Sequence, residues 1–248
     1  MTLRDGRAES FGWVRLDWDS DHFGISIGRI LFPAVSEVTL AKALRSADAA
    51  GIRCLYWLID FNGAQVAIGQ RAGFKKVDVR VELEADLGSQ PLSLGETPGI
   101  RQAVESDLDP LKALASRSHR NTRFYADRSF PPRRSDALYA EWIGKSVQDP
   151  SQKVFVSGPP GLPNGYIAFG MSGTGIGVIG LIAVEESQRG TGLGSTLVRA
   201  ALSRLRAQGA ENVTVVTQTN NQAAQRLYGG LGFKERNRSV WLHRWQEE

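Results

Sequence analysis

Two periodicities run through this chain and divide it into elements. The apolar run Val178 to Val184 is rich in β-branched residues and too short for a helix, so it reads as a buried strand. Leu193, Leu197, Val198, Ala201, Leu202 and Leu205 then recur with the period of a helix lying on a sheet, and Gly209 can end it in a left-handed conformation. The same criteria place strands at Ile25 to Phe32, Cys54 to Ile59, Ile100 to Val104, Lys153 to Ser157, Gly165 to Gly170 and Val213 to Gln218. Helices are expected from about Glu37 to Ala50, closed by Gly51, through Leu111, Leu114 and Ala115, and through Leu138, Tyr139, Trp142, Ile143 and Val147. Ser106 and Asp109 have capping-box spacing ahead of the second of these. Val77, Val79, Val81 and Leu83 alternate as in a half-buried strand, and Val240 and Leu242 keep the same step.

Part of this pattern occurs twice. A helix, a strand, Asn62 and then Gly73-Phe74-Lys75 are matched later by a helix, a strand, Asn221 and then Gly232-Phe233-Lys234, with the Asn eleven residues before the Gly both times. Such self-similarity indicates a duplicated structural unit. The copies differ where chemistry would sit. Phe32-Pro33-Ala34-Val35-Ser36 has no glycine loop ahead of its helix, and Gly69 stands where the second copy has Tyr228. The first copy is therefore expected to keep the fold without a cofactor site, extending the core and shaping a wall. Residues 84–98, rich in Gly, Pro, Ser and acidic side chains, read as a linker between domains 1–92 and 93–248.

Composition narrows the class. A chain of 248 residues that is 42% apolar can build one large core or two smaller ones. It has no unbroken apolar run near the ~18 residues of a membrane span, and its N-terminus lacks the apolar region of a signal peptide. The single cysteine, Cys54, excludes an intramolecular disulfide, and a cytoplasmic protein without membrane association is expected. A net charge of +4 favours anions mildly and does not identify a nucleic-acid binder. His22, in the polar stretch from Asp17 to Gly24, reads as a surface or turn residue.

The specific chemistry begins after Val184. Arg189-Gly190-Thr191-Gly192-Leu193-Gly194 joins a strand to a helix, and glycines there let successive N–H groups point into one concavity with the helix dipole behind them. That is a pyrophosphate cradle, but the spacing is neither the dinucleotide fingerprint nor the Walker loop. With Asn221-x-x-Ala224-x-x-x-Tyr228-x-x-x-Gly232-Phe233, it resembles the acyl-CoA loop and following helix of the GNAT N-acyltransferases, over roughly residues 98 to 248. The resemblance implies an α/β (α+β) fold, a mixed and mostly antiparallel sheet with flanking helices, preceded here by a degenerate half of the same kind. It implies acetyl-CoA as co-substrate and no metal. Arg189 to Gly194 would hold its pyrophosphate. Ile182, Ala183 and Val184 would run beside the pantetheine arm, with an N–H near Val184 polarising the thioester carbonyl. Asn221 would bond the pantetheine or its waters, Ala224 belongs to the same motif, and Tyr228 would hydrogen-bond or protonate the departing thiolate. From ordinary pKa values that transfer is uphill by roughly 2 kcal/mol. The base is open: Glu185 is the candidate carried forward, with Glu186, His119 and water as the alternatives.

The acceptor is addressed by the most basic segment. Arg117, Arg120, Arg123, Arg128, Arg133 and Arg134 face one acid, Asp127, with Phe124, Tyr125 and Phe130 interleaved. Guanidinium groups grip phosphate and aromatic faces stack on bases; the plain alternative is a solvated basic loop. Thr122 to Asp127, Leu138 to Ile143 and Val216 to Gln218 resemble sugar-nucleotide N-acyltransferases. The resemblance implies a small-molecule acceptor, an amino-deoxy sugar linked to a nucleotide of dTDP type, held by Arg120, Arg123, Phe124 and Tyr125. The other readings are a generic member acetylating a protein N-terminus or small amine, and a non-catalytic acyl-CoA sensor. The oligomeric state is open, a homodimer included.

Overall fold

The structure, a computed structural model, describes residues 12–61, 63–88 and 97–246. In chain order the elements are β1 (Trp13–Arg15), α1 (Asp17–Phe23), β2 (Ile27–Ile30), α2 (Glu37–Ala49), β3 (Cys54–Asp60), α3 (Gly63–Arg71), β4 (Lys75–Asp86) and β5 (Ile100–Gln102). They continue as α4 (Leu108–Ser118), α5 (Arg123–Ala126), α6 (Pro132–Gln148), β6 (Gln152–Ser157), β7 (Gly165–Met171), β8 (Gly177–Val184), α7 (Leu193–Ala207), β9 (Asn212–Gln218), α8 (Gln222–Gly229) and β10 (Lys234–Trp245). The mixed α/β architecture expected from the periodicities is present, and so is the repeat: β2-α2-β3-α3-β4 and β8-α7-β9-α8-β10 have the same order. Asn62 lies outside the described residues, as do residues 89–96 of the expected linker. The linker's first residues, 84–86, are strand instead, because the alternation that starts at Val77 continues through Leu83 and Ala85.

The chain forms two compact units, and neither is a single stretch of sequence. The first takes residues up to Arg80 together with Thr122–Arg134 and the C-terminal segment from Arg238. Its strands are ordered β1-β2-β3-β10. The pair β2–β3 is parallel, and β3–β10 is antiparallel from Ser239↔Asp60 to Trp245↔Cys54. One face of this sheet packs on α2 and α3, with Trp57, Leu40, Ala43, Ala47, Val240 and Leu242 at the centre. The second unit comprises Val81–Asn121 and Ser135–Asn237. Its strands run β4-β9-β8-β7-β6-β5, and α7 lies on them through Leu197, Val198, Ala201, Leu202 and Leu205, each less than 1% exposed. The final strand of each repeat is thus divided, and its later half completes the other copy's unit.

Two local expectations are corrected. No side chain caps α4, so Ser106 and Asp109 do not form the expected box; Asp107 just ahead of it is fully buried and accepts instead from the N–H groups of Val104 and Gly161 and from Arg101. These donors hold the Asp107 carboxyl down at about 2. His22 is not a surface residue: it lies within α1, 7% exposed, stacked on Trp18 with Nε2 2.7 Å from the Arg134 carbonyl, so that Nε2–H donates.

Candidate active site

The decisive local feature is the way β8 leaves β9. The two strands pair in parallel only at Gly177↔Val213, Val178↔Thr214 and Ile179↔Val215. There, against β7, the register shifts between Ala168↔Leu181 and Phe169↔Ile179, leaving Gly180 as an extra residue in β8. A bulge of this kind bends its strand and ends the neighbouring ladder. Ile182, Ala183 and Val184 stay paired to β7 while their β9 side is turned out of the ladder, and Val216 on β9 is 39% exposed. Backbone groups along an opened strand edge suit an extended ligand that adds to it.

The glycine loop stands at the end of this opening. Gly190 and Gly192 have φ of +78° and +90°, which L side chains rarely adopt, and a Cβ at either would meet nothing within 4 Å. Gly192 is the N-cap of α7, no side chain caps it, and the first bond back into the helix is Thr196 N–H to Gly192 C=O. The first-turn N–H groups of a helix of fifteen residues therefore face an open, glycine-lined concavity. Arg189 folds back with Nε 3.3 Å from the Val184 carbonyl, and Thr191 donates its hydroxyl to Gln188 C=O. These residues fit a pyrophosphate.

Helix α8 closes one side. A Cβ on Gly194 would lie 3.5 Å from Leu227 and 4.0 Å from Val184, so the loop, the end of β8 and α8 meet at one place. Asn221 caps α8, its side-chain carbonyl accepting from Ala224 N–H at 3.2 Å. Tyr228 is 2% exposed, with its ring 5.3 Å from Phe233, and burial raises its phenol above the usual value. At neutral pH it is a hydrogen-bond donor.

The first copy lacks each of these features for a visible reason. Strand β2 pairs with β3 along its whole length, from Ile27↔Cys54 to Ile30↔Trp57, so no opening forms. Its loop N–H groups are occupied: Val35 N–H donates to Gln65 and Thr39 N–H to the Ser36 hydroxyl. At Gly69 a Cβ would come within 2.6 Å of Leu242 and 3.2 Å of Trp57, leaving no room for the counterpart of Tyr228.

Around the base and acceptor the structure rearranges the expectation. The Glu185 carboxylate is bonded to Arg117 at the end of α4. Two residues on, His119 Nε2 is 2.8 Å from the Tyr166 hydroxyl and the ring stacks on Tyr139, centroids 4.7 Å apart. Tyr166 is fully buried on β7 opposite Ala183, and burial pushes the His119 imidazole down to about 4, so it is neutral at pH 7. The basic segment is divided between the two units. Arg120 remains in the second and pairs with Asp136 at 2.8 Å. Arg123, Phe124 and Tyr125 are in the first. Phe124, 3% exposed, packs against Phe23 and Phe130 as core and has no free face for a base. Tyr125 is half-buried, and the Arg123 guanidinium lies 4.2 Å from the Tyr56 ring and 4.0 Å from that of Trp241. A groove of about 350 Å³ lined by Glu84, Asp86, Asn212, Gly232 and Lys234 contains none of the predicted residues.

The bulged, opened strand, the glycine cradle and the buried tyrosine together suit a ligand with an extended arm and a pyrophosphate. Residues 117–233 match the acetyltransferase (GNAT) family, and that portion of the chain is a GNAT acetyltransferase domain. The chain is 27% identical over 233 residues to the dTDP-fucosamine acetyltransferase of Escherichia coli O6:H1, covering 92% of this chain and 96% of that protein. It is also 27% identical over 243 residues to a mycothiol acetyltransferase of Frankia alni, covering 91% of this chain and 68% of that one. Among solved structures, a GCN5-related N-acetyltransferase from Kribbella flavida superposes with a TM-score of 0.65 at 18% identity, covering 97% and 89% of the two chains. No helix among the described residues is long and apolar enough to cross a membrane.

Proposed function

We propose that the acceptor is the amine of a nucleotide-linked amino-deoxy sugar, of dTDP type, and that the transfer is a direct attack. The observation that carries this reading is the end-to-end likeness to the dTDP-fucosamine enzyme, which includes the degenerate first copy as well as the acetyltransferase portion.

The geometry supports the following roles. Ile182 to Val184 offer N–H and C=O groups to the pantetheine, and the N–H near Val184 points at the thioester oxygen as charge develops there. Arg189 to Gly194 take the pyrophosphate, and Asn221 reaches the pantetheine with its NH₂. The amine lone pair forms the C–N bond as the C–S bond breaks. The electron pair leaves on sulfur, and the ammonium proton passes to water or a nearby base. Tyr228 donates a hydrogen bond to the thiolate. Because burial raises its phenol further above a thiol's pKa, complete transfer costs more than the roughly 2 kcal/mol of the unperturbed groups, and hydrogen bonding is its main contribution. Glu185, with its carboxylate on Arg117, holds the incoming amine in place.

The test is release of free CoA from acetyl-CoA with a panel of dTDP- and UDP-amino sugars, amino-sugar thiols, peptides and polyamines. Turnover with dTDP-amino sugars is expected. Turnover confined to thiols or peptides would reassign the acceptor while leaving the acetyl-CoA site intact.

A further inference from the structure

The second face of the first unit's sheet carries polar groups that the acetyl-transfer site does not use. Arg29 on β2 and His243 on β10 are both register partners of Tyr56 on β3, so the three side chains form a row across three strands on one face. Trp241, two residues before His243, is on the same face. From the other side Arg123 completes the arrangement, its guanidinium over the rings of Tyr56 and Trp241, while that of Arg29 lies 5.6 Å from the same Trp241 ring.

Four buried polar atoms here have no hydrogen-bond partner among the described residues: Arg29 Nε, Arg123 Nη1, the Tyr56 hydroxyl and His243 Nε2. Tyr56 and His243 are 0% and 1% exposed. Buried polar groups in folded proteins are nearly all satisfied, so four unsatisfied ones in a row need an explanation. The aromatic contacts satisfy the guanidinium faces but leave these edge N–H groups unbonded.

Their donor and acceptor pattern is specific. His243 Nδ1 is 2.7 Å from Asp127, which also accepts from Trp245 Nε1. His243 therefore donates its Nδ1–H to the Asp127 carboxylate, and the neutral ring presents a lone pair at Nε2. The cluster offers three donors and one acceptor. Three arginines meet here, since Arg29 and Arg123 repel each other and Arg80 adds to that, while Asp19 offsets them in part. Asp127 is already engaged by His243 and Trp245, and Asp78, whose carboxyl burial pushes up to about 6, accepts from backbone N–H groups of Val79 and Arg123. A group with several lone-pair oxygens and one acidic proton complements this set, and a hydrogen phosphate or phosphate monoester has both.

We propose that the Arg29–Tyr56–His243 row, closed by Arg123, is a binding site for a phosphate-type oxyanion. The two half-buried guanidiniums grip oxygens on one side, the Tyr56 hydroxyl donates to a third, and His243 Nε2 accepts the phosphate O–H. The site is built from the first unit's residues alone. It stands whether or not the acceptor proves to be a nucleotide sugar.

The chain has three histidines, so their ring resonances can be followed individually by NMR. The full chain, free of acetyl-CoA, is titrated with sodium phosphate, sodium pyrophosphate, dTDP and sodium acetate, with chloride holding ionic strength constant. The expected result is a saturable shift of the His243 ring with the three phosphate compounds and not with acetate, while His119 does not move. Arg29→Gln should weaken phosphate binding by at least about tenfold, and Arg206→Gln on α7 should not change it. Arg123→Gln should weaken it likewise, and if that variant fails to fold, Arg29→Gln and the unmodified chain still decide the matter. Unsaturable or absent shifts at tens of millimolar phosphate, equal shifts with acetate, or unchanged binding by Arg29→Gln would overturn the site. Failure here leaves CoA release unaffected, whereas failure of the acceptor assay leaves phosphate binding standing.

Discussion

At the scale of single residues, Tyr228 and the two left-handed glycines separate chemistry from scaffold. Tyr228→Phe removes one hydroxyl from a packed ring, so kcat should fall about 10- to 1,000-fold with acetyl-CoA affinity little changed. Pre-steady-state and equilibrium binding measurements check the two halves separately, and full turnover by the variant would remove Tyr228 from the mechanism. Gly192→Ala imposes φ near +90° on an L side chain at the mouth of the cradle, which costs on the order of 1–2 kcal/mol. Weaker acetyl-CoA binding is expected, read by calorimetry, with the fold intact by circular dichroism. These residues were legible in the sequence because glycine spacing and an Asn-to-Tyr interval encode local geometry. Phe124 was not. A basic segment with interleaved aromatics reads alike whether it is solvated or folded under a sheet, and only the neighbours Phe23 and Phe130 decide between the two. His119, Tyr166 and Tyr139 were equally hidden, since their contact joins positions far apart in sequence.

At the scale of elements, the contrast between the two copies explains what a cofactor site requires. Both have the strand-helix-strand-helix-strand order, and that order was readable from period and turn residues. The opening between β8 and β9 was not, because Gly180 lies within an uninterrupted apolar run and a bulge has no signature in periodicity. The first copy remains closed since its strands pair to the end and α3 packs directly on the sheet at Gly69. Gly69→Ala should therefore cost about 1–3 kcal/mol, the usual penalty of overpacking, in a urea unfolding curve. A variant as stable as the original would mean that Leu242 and Trp57 yield easily there, and the steric account of the missing tyrosine would fail.

At the scale of the whole molecule, the exchange of final strands makes each unit depend on residues from the other repeat. Linear reading could not anticipate this, because β4 and β10 have the same alternating pattern whichever sheet they complete. The same whole-chain view gives an acid sensitivity. His119 and His243 are held down to about 4 by burial, against about 6.5 in an unfolded chain. Above that higher value neither state is protonated and the histidines have no effect. Between the two values the unfolded chain binds protons that the folded chain does not, so stability falls as pH drops, by a few kcal/mol for the pair. Asp107 and Asp127, held at about 2, keep their stabilisation through this window and lose it only in stronger acid. Unfolding free energies measured at pH 7 and pH 4.5 should differ in this direction, and His119→Gln should reduce the difference. A flat profile would show that the two rings are not desolvated.

The central claim is that acetyl-CoA occupies the opened edge of β8 and the glycine loop of the second copy alone. Amide hydrogen exchange with and without acetyl-CoA tests it most directly. Slowed exchange is predicted at residues 182–184 and 189–195, with no change at residues 27–30 or 33–39 of the first copy. Protection in the first copy, or none along β8 and the loop, would contradict the account.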